Sequence, residues 1–240
     1  GKGEVFTPAW VCNKQNNLID NDWFGRCNVF NRELENSWQT IEDKIIFPDT
    51  AGKTWKDYVK ANRLEISCGE APYLVSRYDA VTGELIPIKN RIGLLDRKLR
   101  VVSENVNSEP EWYLWSKKAI QSIYGYDWQG DNVLLARENL LFTFIDYYEA
   151  QFEVPPIKKY LLEIARILSW NIFQMDGIKF VETAKYHAKF LMTKFARAAL
   201  YVNKISQMST NAWGAVPVQD YSESWWDKSI DEIDEELFKK

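Results

Sequence analysis

The chain has 240 residues, of which 46% are hydrophobic and 27% charged, and its net charge is −4. This composition predicts a globular protein and argues against a general polyanion binder, so any contact with DNA requires a local basic patch. One histidine and three cysteines without CxxC spacing argue against a His/Cys zinc site and against a disulfide framework.

Membrane insertion and export are not expected for this chain. No run reaches the roughly 18 consecutive apolar residues of a membrane span. The first residues lack the pattern of a signal peptide, and the start at Gly1 rather than Met indicates a fragment. We therefore expect a cytoplasmic protein without a membrane partner.

The first 60 residues mix aromatic residues with turn formers. The tryptophans among them are expected to pack in the core rather than to stack on nucleic-acid bases. A short helix is predicted at residues 54–62, with Thr54 as its N-cap. The strand that follows, 64–66, ends in the small-residue turn Ser67-Cys68-Gly69.

The middle of the chain predicts alternating helices and strands. Residues 79–110 are expected to be rich in turns, because Thr82-Gly83 and Pro87 interrupt them. A helix is predicted at 110–122, since proline suits the first helical position. A strand is predicted at 122–127, where it ends in an acidic residue.

Two further helices and a strand are predicted beyond this point. The first helix runs from 132 to about 150, capped by Asp131, because its apolar residues keep a helical period. Pro155-Pro156 is expected to open the second helix, which ends near Ser169, and residues 171–177 are predicted to form a strand with a tight turn. This alternation favours an α/β fold with parallel strands.

The chain changes character after residue 182, so we predict two units, at 1–182 and 183–240. A long amphipathic helix is predicted at 184–208, with basic residues opposite one apolar stripe. The stripe consists of Leu191, Phe195, Ala198, Val202 and Ile205. A capping box of Ser229 and Glu232 predicts a last, acidic helix.

Polar residues follow three predicted strands, at positions where α/β proteins bind ligands. Gly69 allows a close approach of the backbone to a ligand, although an ordinary strand–turn–helix corner has the same pattern. Asp127 can accept both hydroxyls of a ribose, and Asp176 can accept from an adenine amino group. A surface carboxylate and a turn residue explain the two aspartates equally well, and the order of the three segments carries more weight than any one of them.

Four segments together resemble bacterial DNA adenine-N6 methyltransferases of restriction–modification systems. They are Gly-Glu-Val-Phe-Thr-Pro at 3–8, the glycine turn at 64–74, the ribose-binding motif at 124–141 and the strand at 170–177. Residues 186–240 resemble the far C-terminal end of related polypeptides. The resemblance implies a Rossmann-like methyltransferase sheet, with an N-terminal aromatic extension and C-terminal helices.

The resemblance also implies the cofactor S-adenosylmethionine and the residues that hold it. The segment Phe6, Thr7 and Pro8 would cover the methionine part of the cofactor. The glycine turn would contribute Glu65, Cys68, Gly69 and Glu70, the ribose-binding motif Asp127 and Trp128, and the next strand Asp176. No metal is implied, and the macromolecular partner would be double-stranded DNA.

Three departures from the family's pattern bear on activity. Ala71 stands at the family's second glycine, where its Cβ is expected to crowd the cofactor, and 58 residues separate Gly69 from Asp127. The catalytic tetrapeptide (D/N/S)-P-P-(Y/F/W) is missing, because the chain's one Pro-Pro pair lies in Val154-Pro155-Pro156-Ile157. The target-recognition domain is missing as well. Catalytic residues therefore stay unassigned, and both parts either come from a second subunit or have been lost from this chain between about Val181 and Ala184.

Two other functions remain open on the sequence. A non-catalytic member of the same lineage would bind the cofactor, or nothing, and serve as a scaffold in a restriction or defence complex. An interaction module with a remodelled methyltransferase fold is the third interpretation. A likeness of fold alone does not choose among them.

Overall fold

The protein is described here by a computed structural model, which covers residues 6–48, 50–176 and 181–182. The first part of the chain forms α1 (Ala9–Phe24), β1 (Asn31–Leu34), β2 (Ser37–Thr40), α2 (Trp55–Lys60) and β3 (Arg63–Ile66). A short 3₁₀ helix at Ile88–Asn90 precedes α3 (Leu94–Asn105), α4 (Glu109–Gln121) and β4 (Ile123–Asp127). The remainder consists of α5 (Gly130–Phe152), α6 (Lys158–Asn171), β5 (Ile172–Asp176) and β6 (Val181–Glu182).

The central sheet has the strand order β3-β4-β5-β6. Strands β3, β4 and β5 are parallel, and β6 pairs antiparallel with β5. Each parallel connection contains two helices: α3 and α4 between β3 and β4, and α5 and α6 between β4 and β5. The described residues thus form an α/β protein with parallel strands, as the sequence predicts.

One face of this sheet packs against the helices. Ile123, Gly125 and Ile172 point to that face and are fully buried. A Cβ built on Gly125 would lie 3.2 Å from the Ile172 side chain and 3.3 Å from Cys68 Sγ, so glycine is needed for close packing at this position. The helices contribute apolar residues to the same core, among them Leu99, Trp112, Ile120, Leu140, Phe144 and Ile164.

The N-terminal extension joins the core through an aromatic cluster. Rings of Trp23, Phe24, Phe30 and Phe47 surround Tyr58 of α2, with centroid distances to Tyr58 between 5.1 and 6.1 Å. Aromatic pairs in tilted or edge-on arrangements at these distances stabilise a core beyond their buried area. Of the tryptophans expected in the core, Trp23 and Trp55 pack against it while partly exposed, and Trp10 and Trp38 are not part of it.

Several predicted elements are confirmed. Helix α2 has the Thr54 cap, completed by Asp57 in a capping box. Strands β3, β4 and β5 and helix α4 lie within one or two residues of their predicted bounds, with Pro110 in the first turn of α4.

Other expectations are wrong. Residues 79–110 contain α3, whereas only turns were expected, and α1 and the β1–β2 hairpin are additional elements. Helix α5 begins at Gly130 after Gln129, without a side-chain cap, so Asp131 is not its N-cap. Pro155 and Pro156 precede α6, which begins at Lys158.

The unit 183–240, with the helix at 184–208 and the capping box at Ser229, lies outside the described residues. Within the described part of the chain, no helix is long and apolar enough to cross a membrane.

Candidate functional site

A cavity of about 350 Å³ opens at the carboxyl ends of β3 and β4. Ligand pockets commonly have volumes in this range, and α/β proteins bind ligands at this edge of the sheet. The N-terminal segment contributes Phe6 and Thr7 to its wall. The end of β3 and its turn contribute Glu65, Ser67, Cys68, Gly69 and Glu70, and β4 contributes Asp127.

The turn after β3 has an unusual backbone. Ser67, Gly69 and Ala71 all adopt left-handed φ angles, of 53°, 55° and 68°. The Ala71 N–H donates to the Cys68 carbonyl oxygen at 2.7 Å, which closes the turn. Only glycine adopts such angles without steric cost, so this turn is held in shape by its surroundings.

Asp127 joins the ends of the two strands. One of its carboxylate oxygens accepts from the Gly69 N–H at 2.9 Å. The other accepts from the Gln129 N–H at 2.8 Å and from the Asn132 side-chain amide at 3.3 Å. A carboxylate has about four acceptor positions. Asp127 is therefore fixed in place and keeps acceptor capacity for a ligand in the cavity.

Glu65 is a buried carboxyl at the base of the cavity. It accepts from the Leu74 N–H at 3.2 Å and, more weakly, from the Tyr73 N–H at 3.4 Å. Burial raises its pKa to about 8, with a further contribution from the neighbouring Asp127, although the two N–H donors act in the opposite direction. Glu65 can therefore change its protonation state near neutral pH.

Glu70 is anchored on the far side of the turn. Tyr78 donates its hydroxyl to the Glu70 carboxylate, and Asn139 of α5 donates to the Glu70 carbonyl oxygen at 3.1 Å. Burial and this hydrogen bond raise the pKa of Tyr78 to about 12. The tyrosine therefore remains a donor at neutral pH.

Asp79 holds the N-terminal segment over the cavity. The Ala9 N–H, at the start of α1, donates to one Asp79 oxygen at 2.7 Å. The other oxygen accepts from the Val81 and Thr82 N–H groups at 2.8 and 2.9 Å. Asp79 was not among the residues predicted for the site, although an aspartate three residues before Thr82-Gly83 is a recognisable turn signal.

The structure brings most of the predicted cofactor residues together. Phe6, Thr7, Glu65, Cys68, Gly69, Glu70 and Asp127 line the cavity, and Pro8 follows directly as the N-cap residue of α1. Trp128 is 59% exposed and does not line it. Asp176 is the last residue of β5, and its side chain lies outside the described part of the structure.

One expectation about the turn is wrong. Ala71 is fully buried in the hydrophobic core and is not part of the cavity wall. Its Cβ therefore does not crowd a ligand in this cavity.

The charge of the cavity limits what it can bind. Its described wall carries three carboxyl groups, from Glu65, Glu70 and Asp127, and no lysine, arginine or histidine. Because its pKa is raised to about 8, Glu65 is mostly protonated at neutral pH, so the negative charge of the wall comes from Glu70 and Asp127. Such a wall attracts a cationic ligand and repels a polyphosphate. No cluster of histidine, cysteine and acidic residues that could hold a metal ion occurs among the described residues.

A second cavity, of about 530 Å³, lies between β2, α3 and α5. Its most prominent charged group, Arg100, is already bonded to Glu104 and to the carbonyl oxygens of Ile41 and Asp43. This cavity is away from the strand ends, and its main cation is already paired within the protein.

Comparisons of the chain with protein-family models, with curated proteins and with solved structures found no match. The basis for assigning a function is therefore the chemistry of the cavity, together with the motif resemblance.

Proposed function

We propose that the chain binds S-adenosylmethionine in the cavity at the ends of β3 and β4, as the cofactor-binding part of a DNA adenine-N6 methyltransferase. The observation that carries this proposal is the acidic wall around Asp127. S-adenosylmethionine combines a ribose diol with a sulfonium, an ammonium and a carboxylate group, so its net charge is positive and it needs a hydroxyl acceptor and a negative environment. Both are present on this wall.

The parts of the cavity match the parts of that ligand. Asp127 lies at the end of β4 with acceptor capacity to spare, which suits the ribose hydroxyls. Leu135 of α5 gives an apolar surface beside it. Phe6 and Thr7 would cover the methionine part, held there through the contact of Asp79 with Ala9.

The role of the chain itself would be to bind the cofactor and hold it in position. The cofactor supplies the electrophilic methyl group, and the protein fixes its position and stabilises its positive charge. Transfer to adenine N6 also requires a flipped base, held by acceptors for its amino group. The described cavity wall contains no Pro-Pro segment, so a second polypeptide would supply that part in the same restriction–modification complex.

A non-catalytic scaffold is the second candidate function. The observation that favours it is the position of Pro155 and Pro156, which lie between α5 and α6 and outside the cavity wall. A scaffold would retain cofactor binding or lose it, and would show no methyl transfer even with its partner subunit present.

Calorimetric titration of the purified chain tests the proposal. We expect S-adenosylmethionine and S-adenosylhomocysteine to bind, because both carry the adenosine and the amino-acid group. ATP has the same adenosine on a polyanionic tail and should not bind. Equal or tighter binding of ATP, or no binding of S-adenosylmethionine at millimolar concentration, would overturn the assignment.

A further inference from the structure

One face of the central sheet exposes apolar side chains along β3 and at the start of β4. Leu64 and Ile66 of β3 are 54% and 57% exposed, and Tyr124 of β4 is 36% exposed. The strand register pairs Leu64 with Tyr124 and Ile66 with Tyr126, so these four side chains share one face, and among them Tyr126 alone is buried. It is the face opposite to buried Glu65, Gly125 and Ile172.

A parallel sheet is normally covered on both sides. Its crossover helices cover its faces, and its strands are therefore apolar on both sides. In β3 the residues toward the exposed face, Leu64 and Ile66, are apolar, whereas Arg63 and Glu65 lie on the opposite face. In β4 the tyrosines of the exposed face lie opposite buried Ile123, so the apolar side chains of this face call for a covering layer.

We propose that residues 184–208 of this same chain form that layer, with the stripe Leu191, Phe195, Ala198, Val202 and Ile205 against Leu64, Ile66 and Tyr124. The proposal concerns the architecture of the chain and does not depend on the cofactor.

The position of β6 supports this occupant. Strand β6 is at the edge of the sheet next to β5, and its last residue is Glu182, so the chain continues from the sheet itself. A helix of 25 residues is about 37 Å long. The distance across three strand spacings is about 14 Å. Residues 184–208 can therefore cross from β6 to β3.

The chemistry of the segment also fits. Its stripe has the spacing of one helix face, and the opposite side carries Lys185, Lys189, Arg197 and Lys204. With the stripe on the sheet, these charges stay in water. Attachment through β6 gives the segment a high effective concentration at the sheet, which a separate partner lacks.

Disulfide cross-linking in the full chain tests the inference. Cys27 is exposed and Cys12 and Cys68 are buried, so Cys27→Ser removes the reactive native thiol. In this background, Tyr124→Cys is combined with Ala198→Cys in the stripe. The matched control combines Tyr124→Cys with Ala196→Cys, because two residues along a helix correspond to about 200° around its axis.

We expect oxidation to give an intramolecular cross-link for the Ala198 pair and several times less for the Ala196 pair. Gel mobility under non-reducing conditions and peptide mass spectrometry identify the product. Mainly dimeric product would instead show that a second copy covers the face. No preferential product from either pair, with folding checked by circular dichroism, would show that the stripe of 184–208 does not lie on this face. Either result overturns the proposal.

Discussion

Arg97 and Asp20 form an ion pair of 2.6 Å, in which both side chains are 1% exposed. The pair connects α3 to α1 across 77 residues of sequence. The same guanidinium donates to the side-chain oxygens of Asn13 and Asn17 at 2.9 Å, and Tyr58 donates its hydroxyl to Asp20. The part of helix α1 up to Asp20 is therefore attached to the core largely through charged and amide groups, whereas its last turn joins the aromatic cluster through Trp23 and Phe24.

Removing Asp20 should destabilise the protein strongly. Asp20→Ala leaves the Arg97 charge buried without its counter-ion, which commonly costs about 3–5 kcal/mol. Urea unfolding followed by circular dichroism measures the change. The control is Glu42→Ala, whose partner Lys89 lies 3.9 Å away in an exposed pair and which should cost at most about 1 kcal/mol. Equal effects of the two substitutions would contradict this role of the pair.

Asp127→Ala should weaken binding of S-adenosylhomocysteine. Loss of a charged acceptor costs about 1.5–3 kcal/mol, or roughly tenfold to more than a hundredfold in Kd. Because Asp127 also accepts from the Gly69 N–H, Asp127→Asn is measured alongside to keep the shape of the side chain. Asp131→Ala, exposed one turn away, is the matched control and should bind normally. Unchanged affinity in a folded Asp127→Ala protein would exclude Asp127 as a cofactor ligand.

Glu65 should make stability depend on pH. Burial raises its folded-state pKa from 4.5 to about 8, so the folded protein holds the proton more tightly than the unfolded chain. The stabilisation that this tighter proton binding gives the folded protein is complete below about pH 4.5. It is lost as the pH rises toward about 8, by up to roughly 1.4 kcal/mol per pH unit. Wild type should lose stability relative to Glu65→Gln over this interval, as measured by urea unfolding at several pH values. Glu42→Gln is the exposed control, and parallel curves for wild type and Glu65→Gln would contradict the prediction.

Ala71→Gly should be nearly neutral. Glycine relieves the steric strain that alanine has at the left-handed φ of 68°. This relief, about 1–2 kcal/mol, is opposed by a lost buried methyl group, about 0.8 kcal/mol, and by the greater freedom of glycine in the unfolded chain. Because Ala71 is not part of the cavity wall, the affinity for S-adenosylmethionine should stay the same. Thermal unfolding and calorimetry measure the two quantities, and a marked gain in affinity would show that the Cβ reaches the ligand after all.

The chain alone should not methylate DNA. The adenine amino group is a poor nucleophile, and one preorganised hydrogen-bonding partner commonly contributes about 2.7–4 kcal/mol to catalysis at such a centre. The 240 residues lack the tetrapeptide that would provide these acceptors. The assay is transfer of tritiated methyl groups to mixed-sequence DNA, with an added adenine methyltransferase as positive control. Turnover by the purified chain above background would contradict the prediction.

The predictable elements are those whose apolar residues have a clear period. Strand β3 alternates charged and apolar residues before a small-residue turn, β4 begins with Ile and Tyr and ends in Asp127, and α5 and α6 repeat Leu, Ile and Phe at helical spacing. Because β3 and β4 are parallel, their carboxyl ends lie at the same edge of the sheet. This explains why Glu65, Gly69 and Asp127 were predicted near one another and do line one cavity.

The elements that the sequence analysis missed bury polar residues. Helix α1 turns Asn13, Asn16, Asn17 and Asp20 toward the core, and α3 buries Asp96, Arg97 and Lys98 in succession. A search for apolar periodicity treats such residues as a solvated face. Their partners are distant in sequence, as with Lys98, which bonds to Ser122, so no local pattern reveals them. Asp79 differs from them in having a local turn signal, but its contact with Ala9 joins residues 70 positions apart and has no such signal.

The polar attachment of α1 has a consequence for how the protein opens. Detachment of the part of α1 up to Asp20 breaks amide contacts and an ion pair and uncovers little apolar surface, so this opening should respond weakly to urea, with a small m-value. Hydrogen exchange would then show α1 amides opening by a sub-global step, while the amides of β4 exchange only on global unfolding. Because α1 begins next to Phe6 and Thr7, that step would also displace these two residues from the wall of the cavity. A bound ligand should therefore slow exchange in α1, even though most of this helix is remote from it.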